Sequence, residues 1–427
     1  MYILYSVSIF FLRIAYGFLG IFDLKIRRSI EGRKKLFAEI EKYYPAINPL
    51  RKRVLIHVSS FGELEQAKPI IATLKETYPD MHIHLTFFSP SGYDNAINSY
   101  TVPDIITYLP FDSIPDINWF LDITKPELVL FVRYDLWHNL VHEIHDRNIP
   151  MLLFSATFDI SLRKSLPFIK SLYGKTYSFI NSIYTISDSD KSAIETVAIH
   201  AKNIIVAGDT RCDQVITRQQ FIEGQKENIL PDTLIEKISS ENLHVFIAGS
   251  TWENDEKIIA PAIRQMLARK EKLFSIIAPH EITEAQLSHL TLLFGTDAMR
   301  LSEISRYKDE KVIIVDSIGK LFSLYRYGSF AYIGGGFSAG VHNILEPAVW
   351  GVPSIVGPNH KRSKEIGTLM GIGAAVEIRN QEQFADAFQQ WFANDMSRRI
   401  ASVAAKDYVY SSQGATRKVI EGIKIML

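Results

Sequence analysis

The chain has 427 residues, 47% hydrophobic and 22% charged, an ordinary globular composition that excludes a mainly disordered chain and a polytopic membrane protein. Lys plus Arg equal Asp plus Glu at 47 each, so no global field draws the chain to nucleic acid, and an anionic partner has to be held locally. The single cysteine, Cys212, excludes an internal disulfide framework and a multi-cysteine metal site, and fits a reducing compartment.

From Ile3 to Phe22 the chain is almost wholly apolar, and at ~1.5 Å per helical residue that run approaches the ~30 Å hydrocarbon thickness of a bilayer. Arg13 inside it costs about 2.5–3.5 kcal/mol on the insertion scale, against ~4–7 kcal/mol returned by its Ile, Leu, Val and Phe residues. Ser6, Arg13, Tyr16, Gly17 and Gly20 recur at helical spacing, so polar and small residues share one stripe and the other face stays apolar. The pattern predicts a tilted or half-sunk membrane anchor. Its basic flank, Lys25, Arg27, Arg28, Arg33, Lys34 and Lys35, favours the cytoplasmic face of a membrane and anionic headgroups, which leaves the rest of the chain cytoplasmic. No small-residue cleavage site follows, against a cleaved signal peptide. The alternative is a buried helix of a soluble domain.

Beyond the anchor, strand-length apolar runs recur at Val54–Val58, His82–Phe88, Leu128–Val132, Met151–Phe154 and Ile204–Ala207. A second set follows at Val245–Ala248, Phe274–Ala278, Val312–Val315, Phe330–Ile333, Ser354–Val356 and Ala375–Ile378. Spaced by helical patterns, they read as βαβ units with parallel sheets. The polar stretch Arg218–Asn242, with Gly224 and Pro231, separates the sets. The expected organisation is an anchor with its basic flank at 1–30 and two doubly wound Rossmann-like α/β domains, 31–217 and 218–427, facing a central cleft. Ligands of such sheets bind beyond the carboxyl ends of the strands.

The first such loop is Ser59-Ser60-Phe61-Gly62-Glu63. Gly62 permits a tight turn, and Glu63 at the strand-to-helix turn is a general base if its neighbours tune it, or else only a carboxylate favouring the positive end of its helix. In the second half, Ile333-Gly334-Gly335-Gly336 ends a strand, and Val341-His342-Asn343-Ile344-Leu345-Glu346-Pro347 opens a helix near Asn343. Glycines there let backbone N–H groups close on a phosphate, and Glu346 can accept from ribose hydroxyls; the alternative is close strand-to-helix packing. The loop is neither a Walker loop nor a G-x-G-x-x-G fingerprint. Ser250 and Thr251 follow another strand, where they hold an anion or cap a helix beginning near Asn254. Pro279-His280 ends the next strand, with His280 a ligand contact or a packed residue. The twelve histidines are scattered, no zinc constellation appears, and neither a nucleophile elbow nor a cysteine-protease signature is present.

Taken in order, Ser59-Ser60-Phe61-Gly62-Glu63, Ala248-Gly249-Ser250-Thr251, Gly334-Gly335-Gly336, His342-Asn343-x-x-Glu346-Pro347, Gly351-x-Pro353 and Gly357-Pro358 resemble the bacterial 3-deoxy-D-manno-octulosonic acid (Kdo) transferases, inverting glycosyltransferases of the GT-B fold. The resemblance covers nearly the whole chain. It implies CMP-Kdo as donor, a lipid A precursor such as lipid IVA as acceptor at the inner membrane surface, no cofactor and no metal. It also implies Glu63 as catalytic base, with Ser250, Thr251, Pro279, His280, Gly335, Gly336, His342, Asn343 and Glu346 around the donor. Where the family often has Glu-Thr-Glu-Leu-Trp-Pro-Asn, this chain has Arg133-Tyr134-Asp135-Leu136-Trp137-His138-Asn139, so no role of an acid carries over to 133. The family's Pro-Arg-His is Pro279-His280, which leaves Arg211 and Lys361 as candidate phosphate or carboxylate contacts. Two other readings share these features: a UDP-sugar transferase or epimerase of the same fold, and a non-catalytic membrane-attached nucleotide-binding protein.

Overall fold

The computed structural model describes residues 2–158, 167–198, 200–225, 228–361 and 363–427. Strands β1 (Arg53–Val58), β2 (His82–Phe87), β3 (Ile105–Tyr108), β4 (Leu128–Val132), β5 (Met151–Ala156), β6 (Ser182–Thr185) and β7 (Ile204–Val206) form a parallel sheet in the order β3-β2-β1-β4-β5-β6-β7. Strands β8 (His244–Thr251), β9 (Leu273–Pro279), β10 (Ala298–Arg300), β11 (Val312–Ile314), β12 (Phe330–Ile333), β13 (Ser354–Val356) and β14 (Ala375–Glu377) form a second, in the order β10-β11-β9-β8-β12-β13-β14. Each expected run is a strand. The additions β3, β6 and β10 are short and mix apolar with polar residues, which hides them from a search for apolar runs.

Both sheets are buried on both faces, as parallel sheets with crossover helices must be. In the first, Val54, Ile56 and Val58 enter one core with Leu64, Ile71 and Leu85, while Leu55 enters the opposite core with Val129, Phe131 and Phe120. In the second, Phe246, Phe330 and Tyr332 pack against Phe384, Phe388 and Trp391 of the helix Gln381–Ala393. In each sheet the strand order reverses at a central strand, between β1 and β4 and between β8 and β12. Those reversals are where doubly wound sheets leave room for a ligand.

The chain divides into two compact units, Met1–Gln214 with Ser412–Leu427, and Val215–Ser411. A linear division at 217/218 therefore misses the last helix, Ala415–Met426, whose Val419 and Ile423 are buried in the first unit's core. Asp213 fixes its start, accepting from Gly414 N and Thr416 N at 2.6 Å each.

The apolar N-terminus is a helix with one docked and one exposed face. Among the described residues no helix is long and apolar enough to cross a membrane. The first helix, Tyr2–Leu19, stops short of Phe22, because Asp23 caps a second helix, Leu24–Tyr43, and Arg27 binds the Gly20 and Ile21 carbonyls at the corner. Its stripe is docked on the first unit: Tyr5 donates to Asp112 at 2.8 Å, Ser6 to Asn139 at 3.0 Å, and Arg13 pairs with Asp116 at 2.7 Å. The opposite face, with Leu4, Phe10, Phe11, Leu12 and Phe18, is exposed. Arg33 leaves the basic flank altogether. It is buried, donates to the Leu109 and Phe88 carbonyls at 2.9 and 3.0 Å, and lies over the Phe88 ring. Burial pulls its guanidinium down to about 10.

Candidate active site

In the first unit β1 runs directly into the helix Phe61–Thr77. Ser60 caps it, its hydroxyl accepting from Glu63 N at 3.4 Å, and the Glu63 carboxylate folds back to take a short bond from the Ser59 N–H. Glu63 does stand in the first turn, at the positive end of its helix, yet that position alone does not account for its burial, 4% exposed. Burial pushes the carboxyl up to about 7; the Ser59 amide opposes this, Asp135 adds to it and Arg133 offsets part. A carboxyl poised near neutrality is what general-base chemistry requires. Gly62 does not serve a tight turn: a Cβ there meets only Ser60 Oγ, at 3.9 Å, and the residue lies within the helix.

Asp135 reaches the same spot from the loop after β4, the strand beside β1 at the reversal. It accepts from His57 Nε2 at 3.0 Å and Trp137 Nε1 at 3.3 Å. Burial alone raises it, but hydrogen bonds from His57, Ser59 and Trp137 win and hold it below the usual carboxylate range. Arg133 leaves β4 with φ 63°, in the left-handed region that costs a non-glycine residue about 1–2 kcal/mol.

The second unit builds its reversal from close backbone approach. A Cβ on Gly334 would lie 2.1 Å from Ser250 O, on Gly335 2.1 Å from Gly340 O, and on Gly336 2.5 Å from Gly357 Cα. Ser250 is held at φ 54° where the β8–β9 register shifts. Beneath the loop, Asp255 accepts from Gly335 N at 2.8 Å, Trp252 N at 2.9 Å and Tyr332 Oη at 2.7 Å. The Gly335 amide is therefore committed inward and does not face a phosphate as expected. Thr251 is likewise buried, its hydroxyl donating to Glu256 at 2.9 Å. The helix expected near Asn343 is the short Leu345–Val349, whose first amide is taken by Asn343 Oδ1 at 3.2 Å.

Three rings form a stack at the same edge. Trp252 and His280 lie 4.5 Å apart and His280 and His342 4.4 Å apart, with Trp252 Nε1 donating to His342 Nε2 at 3.2 Å. Burial, then the His280 charge, lowers His342 to about 4, so it is neutral at pH 7. His280 follows Pro279 at the end of β9, its amide bonded to Thr251 O. Glu346 is half-buried, 3.8 Å from Arg218.

The second unit thus brings Ser250, Thr251, His280, Gly335, Gly336, His342, Asn343 and Glu346 to the ends of β8, β9 and β12. Arg211 belongs to the first unit and forks onto the buried Asp209 at 2.6–3.2 Å. Lys361 is exposed, beside the Asn359 amide that closes on Gly336 O. Sequence reasoning passed over His57, Asp135, Asp255 and the Trp252 stack. Asp135 had a signal, as the acid retained in the third position of its block; His57 had only its polarity inside an apolar strand.

Two parallel Rossmann-like units, each with its polar loops beyond the carboxyl ends of the reversal strands, define a protein of the GT-B class. In fold it is similar to the UDP-GlcNAc 2-epimerase from Neisseria meningitidis bound to UDP-GlcNAc, 15% identical, with a TM-score of 0.59 over 87% of this chain and 99% of that one. A family model described as 3-deoxy-D-manno-octulosonic-acid transferase (kdotransferase) matches residues 32–214. The 3-deoxy-D-manno-octulosonic acid transferase of Haemophilus influenzae is 23% identical over 420 residues, 95% of this chain and 94% of that protein. The one from Aquifex aeolicus is 25% identical over 352 residues, 81% and 88% of the two chains. Over most of its length the chain is thus similar to 3-deoxy-D-manno-octulosonic acid transferases, and residues 32–214 match that family's model.

Proposed function

We propose that the chain is an inverting glycosyltransferase that moves Kdo from CMP-Kdo to a lipid A precursor, lipid IVA, in lipopolysaccharide biosynthesis. The observation that carries this reading is Glu63, buried at the first reversal with its carboxyl pushed up to about 7, in a chain similar to these transferases. Glu63 takes the proton from an acceptor hydroxyl as that oxygen bonds to the anomeric carbon of Kdo. The bond from that carbon to the CMP phosphate oxygen breaks on the opposite face, CMP leaves, and configuration inverts. The donor belongs to the second unit, with Ser250, His280, His342, Asn343 and Glu346 about the nucleotide, and the exposed Lys361 as a cation for its anionic groups. Incubation with tetraacylated lipid A precursor and a CMP-Kdo supply should add Kdo to the acceptor by mass, while UDP-sugars give no product; turnover of UDP-sugars alone would overturn the assignment.

The same reading puts the chain at the cytoplasmic side of the inner membrane. What supports it is the first helix, docked by its polar stripe with Phe10, Phe11 and Phe18 60% or more exposed, a face suited to the acyl boundary of a bilayer. Replacing Phe11 and Phe18 by Asp should abolish flotation with anionic vesicles and leave transfer to detergent-dispersed acceptor intact.

A further inference from the structure

The glycine loop of the second unit spends backbone donors on itself. Gly334 N bonds Gly249 O at 2.8 Å, Gly335 N bonds Asp255 at 2.8 Å, Ser338 N and Gly340 N both bond Gly335 O at 2.9 Å, and His342 N bonds Gly334 O at 3.2 Å. A phosphate seated on this loop therefore calls on side-chain donors as well. His342 is fixed to be one. Trp252 Nε1 donates to its Nε2 at 3.2 Å. An indole N–H only donates, so Nε2 carries the lone pair and the one proton of the neutral ring sits on Nδ1. A doubly protonated ring would set N–H against N–H and break the bond. Nδ1 itself has no partner among the described residues.

The frame around this bond is tightly held. Trp252 and His342 each stack on His280, at 4.5 and 4.4 Å, and their own bond is too short for them to lie on its opposite faces. The buried Asp255 accepts from both Trp252 N and Gly335 N. A Cβ on Gly335 would stand 3.1 Å from His342 Cδ2, so the glycine leaves the room that the ring occupies. We propose that Trp252 is a positioning residue that holds His342 neutral with its proton on Nδ1, and that this Nδ1–H is the hydrogen bond His342 gives to a phosphate oxygen of the nucleotide sugar. The proposal rests on the reading of this loop as the donor site. Which ring nitrogen carries the proton is set by the bond that the other makes, and here the other is held by Trp252. His342 keeps its proton throughout, so it binds and orients the phosphate and does no acid–base work.

The first arm of the test reads the ring directly. In full-length protein labelled with 15N histidine, the signals lost in His342→Asn identify His342, and two-bond proton–nitrogen spectra show which nitrogen is protonated. Wild type near neutral pH should show Nδ1–H and a bare Nε2. Trp252→Phe, which keeps a ring against His280 and lacks the N–H, should populate both tautomers. A wild-type His342 with its proton on Nε2, or with both nitrogens protonated, overturns the proposal whether or not the variant folds. The second arm is calorimetry with CMP and with cytidine, which lacks the phosphate. Trp252→Phe, shown folded by circular dichroism, should lose roughly tenfold in CMP affinity, about the worth of one hydrogen bond, and keep its affinity for cytidine. No loss for CMP, or an equal loss for both ligands, overturns the phosphate contact. If the same Trp252-dependent loss is found with UMP, and wild type transfers no Kdo from CMP-Kdo, the proposal stands and the Kdo transferase reading falls.

Discussion

The two units share a topology and place their polar loops at the same point of it, yet they build those loops from opposite materials. The first presents side chains: Asp135 bonded to His57, and Glu63 held by the Ser59 amide. The second presents backbone, with Gly334, Gly335 and Gly336 packed against Ser250, Gly340 and Gly357 so closely that no Cβ fits. Each holds a non-glycine residue in the left-handed region at the end of a strand flanking the reversal, Arg133 in the first and Ser250 in the second. Strain of that kind persists where the surroundings over-determine the chain. Under the proposed function the difference separates two tasks. A proton is handled by a group whose charge can be tuned, whereas a nucleotide sugar is seated by a surface whose shape must not move.

The comparison breaks most visibly at Glu63. Glu63→Gln should lower transfer by about 10² to 10⁴, the worth of a general base, while CMP affinity measured by calorimetry stays as in wild type. A rate within tenfold of wild type would remove the first unit from the proton-handling task.

The same substitution has a stability consequence of opposite sign. Glu63 is raised from 4.5 to about 7 in the folded chain, so its protonated form favours folding, and that contribution, present below pH 4.5, is lost as pH rises through about 7. Above pH 7 the ionised, buried carboxylate should cost on the order of 3 kcal/mol. Urea melts should find Glu63→Gln more stable than wild type at pH 8 and equal to it near pH 4.

In the second unit the side chain to add is a methyl. Gly336→Ala drives a Cβ onto the Gly357 backbone at 2.5 Å, with no flexible side chain to yield, and should cost about 1–3 kcal/mol in melts, as overpacking does, together with CMP affinity. Glu346→Ala should weaken CMP binding by about 1–3 kcal/mol, the cost of lost hydrogen bonds to a charged group; unchanged affinity in calorimetry removes the ribose contact. The mildest change is Gly62→Ala. With open space around it and a helical backbone, the variant should be neutral or more stable by up to about 1 kcal/mol, and a loss in melts would show that the first unit also relies on a glycine.

How much of this was legible in the chain follows from what each feature depends on. The central strands announce themselves because a parallel strand buried on both faces is a continuous apolar run, and a run such as Leu128–Val132 is visible without its neighbours. Glu63 and the glycine run are legible for the same reason: they are local, at the exit of such strands, and their order along the chain carries the resemblance. The first helix was legible as amphipathic, since Ser6, Arg13 and Tyr16 are spaced by the helix itself. What tertiary structure alone decided are the pairings over long sequence separations: Tyr5 with Asp112, His57 with Asp135, Asp255 beneath Gly335, Asp213 at the start of the last helix. No periodicity records these. They depend on which strands the crossovers bring side by side, so Arg33 in a basic run turns inward and Arg211 commits its charge to Asp209. Local patterning specifies which face of an element is apolar; only the packed chain decides which buried polar group satisfies which other, because an unpaired one costs more than most single contacts return.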